Sequence, residues 1–250
     1  MTSTAKKFLV NFLYALGIIA AILLIWYVTS LAVDSELIAP DPWQVIALTF
    51  TMLGRGTTYL ALLSTLLRSL IAFAVSVAVA LALSLLAGVF PQTKPAVDKV
   101  VTIFRAVPTM SLILITLVLV SSTAVPVIVA FLVAFPVIYS AFIREIYADG
   151  KIRDMCAVYG VTSGNKARYV LLPQIGNAVV PQIKDTFPLC IKVVIAGEAL
   201  SLPRRGIGQQ MYVAKVNLDT ASVLALTVLA LAVCFIIQGA VALCSKKTAE

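Results

Sequence analysis

Long apolar runs alternate with short polar breaks along this chain. A membrane helix needs about 20 mostly apolar residues, and six runs meet that length: roughly residues 12–31, 64–89, 100–120, 124–142, 183–202 and 221–243. Only Ser121, Ser122 and Thr123 part the third run from the fourth, so these two form a tight hairpin. The fifth is interrupted by Lys184, Asp185 and Lys192. After the first run, Pro40-Asp41-Pro42 closes an extended stretch. Residues from Trp43 to Leu53 then read as a helix at the membrane interface, anchored by Trp43; a helix packed on a loop in water is the duller alternative. The pattern predicts an all-α integral membrane protein, a single domain over residues 1–250 with six transmembrane helices. The run that follows Lys6 and Lys7 is too long for a signal-peptide core, so the first helix is expected to stay uncleaved.

Composition strengthens that reading. Hydrophobic residues make up 61% of the chain and charged residues 12%, too few to coat a water-soluble domain. A net charge of +8 would suit nucleic acid if it formed one basic face, but the cations sit in short loops between apolar runs, as topology determinants do. With the amino terminus in the cytoplasm, the inner side carries Lys6, Lys7, Lys94, Lys99, Arg105, Arg144, Lys151, Arg153, Lys166, Arg168, Lys246 and Lys247. The outer side carries only Arg55, Arg204, Arg205 and Lys215. This bias predicts a multi-pass protein with both termini in the cytoplasm.

The candidate chemistry is sparse. The chain has no histidine, the usual general base and commonest metal ligand. Its four cysteines, Cys156, Cys190, Cys234 and Cys244, form no C-x-x-C pair and read as packing residues. No catalytic, cofactor-binding or metal-binding residue is expected. No G-x-x-x-x-G-K-[ST] sequence occurs, so ATP is not expected to bind this chain itself.

The polar stretch 154–173, D-M-C-A-V-Y-G-V-T-S-G-N-K-A-R-Y-V-L-L-P, stands out. Asp154 is expected in the first turn of a short helix, where the helix dipole favours an acid. Gly160 is expected to end that helix in the left-handed conformation. Thr162 or Ser163 would cap a second helix reaching Leu172, and Pro173 would stop it. Val158, Tyr159 and Val161 cluster at the turn as an exposed apolar knob. A generic amphipathic connector is the bland reading of the same residues.

This stretch resembles the EAA loop of ABC importer permeases. Asp154 matches the motif's acidic residue, Gly160 its glycine, Val170 its isoleucine, and Leu172-Pro173 its Leu-Pro. Met155 and Cys156 stand where the motif has alanines. Leu37-Ile38-Ala39-Pro40-Asp41-Pro42, Leu66-Leu67-Arg68-Ser69, Phe104-Arg105-Ala106-Val107-Pro108, Ala196-Gly197-Glu198-Ala199 and Gly206-Ile207-Gly208 resemble stretches of the nitrate/sulfonate/taurine-type branch, and the similarity covers about residues 25–243. The resemblance implies a type I importer-like fold in a bacterial cytoplasmic (inner) membrane. It implies that Asp154, Cys156, Ala157, Tyr159, Gly160, Val161, Val170, Leu172 and Pro173 form a coupling helix docked on a cytoplasmic ATPase. It also implies the partners: a second copy of this chain, two ABC ATPase subunits holding ATP and Mg, and an extracytoplasmic solute-binding protein, in surrounding membrane lipid and without nucleic acid. The solute class it implies is a small anion or a vitamin precursor. The chain itself is not expected to be an enzyme.

Among the charges that fall inside predicted membrane helices, Arg68, Asp185, Lys192 and Glu198 stand out. Arg68 and Glu198 should lie at similar depth near the outer ends of the second and fifth. An unpaired charge at a helix centre costs about 2.5–3.5 kcal/mol on insertion scales, so the two are expected to meet or share a polar cavity; the alternative is an Arg68 that reaches the headgroups. Asp185 and Lys192 lie about two turns apart on one face of the fifth. That face either lines an anion path or locks helices together. Gly197, Gly206 and Gly208 suit either packing or a gate loop near Ser201-Leu202-Pro203. Two further classes remain in view. An ion-coupled secondary transporter of a small anion would need mid-membrane carboxylates and repeated halves, and a membrane-embedded enzyme would need a catalytic cluster.

Overall fold

Small residues decide how the long helices pack. Along one edge of α3 (Gly56–Val89) lie Ala61, Thr65, Ser69, Ala72, Ser76, Ala80, Ser84 and Ala87, all buried. Their spacing of three and four residues puts them on one face, and their size lets neighbouring backbones approach closely. That edge faces α6 (Val125–Ala148) and α9 (Leu172–Ser201), and these three helices form the centre of the protein. Tyr139, Phe142, Ile138 and Ile191 fill the space between them, and Phe73 meets Phe187 edge-on at 5.6 Å. Pro136 interrupts the backbone ladder of α6, and Ser140 donates to its carbonyl at 2.8 Å.

The structure is a computed structural model that describes residues 3–33, 35, 37–148 and 150–248. Every regular element among the described residues is helical. The side chains of Lys6, Lys7, Arg153, Lys246 and Lys247, used above for orientation, lie outside the described residues, as does that of Cys244.

Among the described residues, four helices are by length and composition apolar enough to cross a membrane: Leu16–Val33, Gly56–Val89, Val125–Ala148 and Thr220–Val241. A bent pair adds a fifth. The first belongs to α1 (Ser3–Val33), of which no residue between Leu16 and Val33 is buried. A helix that is apolar and exposed all round would be poorly solvated by water, whereas lipid suits it. These features are those of a multi-pass helical membrane protein. α1 is tied to the rest near its end, where Trp26 donates to the Pro40 carbonyl at 3.2 Å and Ser30 to that of Ala39 at 2.8 Å. α2 (Pro42–Leu53) begins where Asp41 accepts the Trp43 N–H at 3.0 Å, with proline in its first turn. It buries Val45, Thr49 and Met52 against α11 (Thr220–Thr248) and leaves Trp43 exposed.

The chain departs from the expected continuous helix over 100–120. Here α4 (Lys94–Ala106) and α5 (Thr109–Leu119) meet at 94°. Pro108 favours the break: it disfavours the helical conformation at Val107, whose backbone is extended. α4 is amphipathic and buries Val101 against the core. Its polar side carries Asp98, which receives Tyr139 at 2.9 Å and pairs with Lys94 at 2.5 Å. The expected fifth span, 183–202, begins earlier than composition suggested, as α9 at Leu172. Lys184, Asp185, Lys192 and Glu198 within α9 keep it out of the strongly apolar class.

Candidate functional site

Two polar features stand at opposite ends of α9. The first is an elbow formed by α7 (Gly150–Val158), α8 (Ser163–Lys166) and the turn between them. The Val161 N–H donates to the Cys156 carbonyl at 3.0 Å, and that of Tyr159 to Met155 at 2.9 Å. Between them Gly160 sits at φ 59°, the left-handed conformation that closes a helix with this bonding pattern. Asp154 lies in the middle of α7 rather than in its first turn, because the helix starts at Gly150, almost directly after α6 ends at Ala148. Thr162 precedes α8 in an extended conformation but its side chain makes no capping bond.

The second elbow helix was expected to stop at Pro173. It runs on instead. A π-helical turn, Ala167–Leu171, joins α8 to α9, with Pro173 in the first turn of α9. A proline that lacks an N–H is tolerated where the ladder is already displaced by one residue. Gly88 at the end of α3 makes room for this turn: a Cβ there would lie 2.7 Å from Leu171 Cδ1.

The elbow's residues divide by exposure. Val158 is 82% exposed, Tyr159 76% and Met155 56%. Spaced i, i+3 and i+4, these three form one apolar face. Tyr169 stands exposed on the π turn, with the Arg168 guanidinium 5.6 Å from its ring centre. Met155 and Tyr169 were absent from the residues expected to dock a partner; the helical spacing of Met155 with Val158 and Tyr159 was the available signal. Asp154, Gly160, Val161, Leu172 and Pro173 are exposed. Val170 is half-buried against the core. The Cys156 side chain is buried. The Ala157 side chain lies outside the described residues. A cavity of about 340 Å³ beside the elbow has Asp154, Cys156, Val161, Ser163 and Lys166 in its lining.

The second feature gathers around Glu198, whose side chain is fully buried. Arg68 Nη1 donates to Glu198 Oε1 at 2.6 Å. The Thr65 hydroxyl donates to the same carboxylate, 2.8 Å from Oε2, and the Gly208 N–H reaches Oε2 at 3.1 Å. Thr65 in turn accepts the Ile207 N–H at 3.0 Å. Arg68 also donates to the Arg205 carbonyl at 2.7 Å. α3, α9 and the loop into α10 (Ile207–Val216) are thus tied to one carboxylate. A buried charge is tolerable when paired and hydrogen-bonded in this way. Gly206 is required by its approach to the same group, since a Cβ on it would stand 2.5 Å from Glu198 Cδ. The sharp turn out of α9 is made by Leu202, at φ 49°.

Arg68 and Glu198 are therefore brought together, while Asp185 and Lys192 are not joined to them. Both are exposed on α9 and make no ion pair among the described residues. The described residues contain no cluster of His, Cys, Asp or Glu able to hold a metal ion. No protein-family model matches this chain, and no curated protein matches it.

Proposed function

We propose that this chain is the permease subunit of an ATP-driven importer, forming the path for a small solute across a bacterial cytoplasmic membrane. The observation that carries the reading is the continuity of the backbone from Ser163 to Ser201 through α8, the π turn and α9. One end of this helical run, which Pro181 and Pro188 punctuate, holds the exposed elbow and the other holds Glu198. At about 1.5 Å per residue α9 alone is about 45 Å long, more than the roughly 30 Å hydrocarbon layer. A displacement at the elbow is delivered to the Arg68–Glu198 lock on the far side. The resemblance of 154–173 to the EAA loop supports an ATPase as the source of that displacement.

The contacts are compatible with six passes, and the lysine and arginine bias supports an elbow in the cytoplasm. Gly88, Ile146 and Leu171 meet at one end of the bundle, and Pro126 lies against Gly197 at the other. The bent α4–α5 pair thus leads from the first end to the second and counts as one pass on this reading. α9 is another, with α1 and α11 as the outermost passes. Two copies of the chain form the path, each elbow seats in one ATPase subunit, and a solute-binding protein delivers from outside. ATP and Mg belong to the ATPases, and this chain performs no chemistry. The exposed Asp185 and Lys192 face the second copy or the path, where a charge is shielded from lipid.

Proteoliposomes test the reading. With this chain, its ATPase and its binding protein reconstituted together, uptake should require ATP inside or outside according to elbow orientation. Uptake driven by an ion gradient with no ATPase present would overturn it and restore the secondary-transporter reading.

A further inference from the structure

We propose that the cavity between α3 and the α9–α10 loop binds a small oxyanion. The cavity is about 540 Å³ and is lined by Ser64, Arg68, Arg204 and Arg205. That size falls within the roughly 300–1,000 Å³ of small-molecule sites. Its charge is unbalanced. Arg68 is matched by Glu198, whereas Arg204 and Arg205 have no acidic partner among the described residues. The loop that carries them is held firmly. The Arg205 carbonyl accepts from Arg68 at 2.7 Å and from Ser64 at 3.4 Å, and the Ile207 and Gly208 N–H groups are bound to Thr65 and Glu198. Two guanidinium groups are therefore presented from a fixed backbone beside a third whose Nη1 alone is used by Glu198. A guanidinium offers five N–H donors in a planar fork that fits carboxylate, sulfonate, sulfate or phosphate oxygens two at a time.

Arginines that merely solvate a loop would bind anions weakly and without saturation, whereas a fork-lined cavity holds one oxyanion per chain. The same chemistry would suit a lipid phosphate. Three of the cavity's four lining residues are arginines, and the lipid arm of the test separates the two sources. As the entry point of a transported solute the site rests on the importer reading; as an anion site it stands without it.

The test uses the full chain in nanodiscs of zwitterionic lipid, titrated with sodium sulfate, sodium phosphate and sodium chloride at constant ionic strength. Sulfate or phosphate should bind saturably, one per chain, at least tenfold more tightly than chloride. Arg204→Gln with Arg205→Gln should weaken that binding by about tenfold or more, and Lys215→Gln, which removes a cation outside the cavity, should not. Equal binding of the three anions would overturn the proposal. So would equal losses in the two variants, or loss of sulfate binding when phosphatidylglycerol is added at low mole fraction, which would assign the site to lipid. Failure here, in a chain that still retains its ATPase, removes the anion site and leaves the importer reading in place. Intact anion binding in a chain that recruits no ATPase does the reverse.

Discussion

Gly208 lies so close to Ile195 that a Cβ on it would stand 2.0 Å from the Ile195 carbonyl oxygen. The obstacle is helix backbone, which cannot yield as a side chain tip can. Overpacking a tight site typically costs about 1–3 kcal/mol, and Gly208→Ala should reach or exceed the upper end. Gly176, in α9 with nothing within 4 Å of its would-be Cβ, is the counterpart. Gly176→Ala should stabilise by about 0.5–1 kcal/mol through helix propensity alone. Thermal unfolding of both variants in detergent measures the contrast.

The Arg68–Glu198 pair should behave as a buried pair does. Glu198→Ala leaves Arg68, whose side chain is 13% exposed, without its carboxylate, and should destabilise by about 3–5 kcal/mol. Arg68→Met combined with Glu198→Met should cost clearly less than the sum of those two single changes. An additive double variant in a thermal unfolding cycle would show that the two charges are not coupled.

Tyr139→Phe removes one of two partners of Asp98, the other being Lys94. The loss should be about 1 kcal/mol, the usual net worth of one hydrogen bond. Because Asp98 ties α4 to α6 alongside the Phe104–Phe135 contact, hydrogen exchange should quicken in α4 and stay unchanged in α11.

Sidedness gives a further expectation. In a chain whose cysteines have been replaced, a new cysteine at Thr162 should react with a membrane-impermeant thiol reagent only from the cytoplasmic side. One at Arg204 should react only from the outside. Labelling of both from one side would contradict an odd number of passes between the elbow and the α9–α10 loop.

Much of the site was readable from residue types. The left-handed glycine at 160 followed from a glycine placed after a helical run, and the meeting of Arg68 with Glu198 followed from the energy of charges in lipid. The small-residue edge of α3 is written in the sequence at intervals of three and four, yet an apolar run reads alike whether it faces lipid or protein, so its direction was invisible. The break at Val107 was signalled by Pro108, but an apolar stretch on each side masked a 94° bend. The passage through Pro173 was hidden for a different reason. A π turn depends on how neighbouring helices seat Leu171 against Gly88, which is a tertiary matter. Cys156 and Val158 are two residues apart on one short helix, and only packing reveals that the first faces inward and the second outward.

Recharging the exposed elbow tests the central claim most directly. Val158→Asp with Tyr159→Asp alters two side chains that touch little of their own chain, so stability should change by no more than about 0.5 kcal/mol. The wild-type chain, expressed with its ATPase, should carry that subunit through purification in detergent, and the doubly substituted chain, equally folded, should lose it together with ATP-dependent uptake. An elbow variant that keeps both its bound ATPase and full uptake would contradict the account.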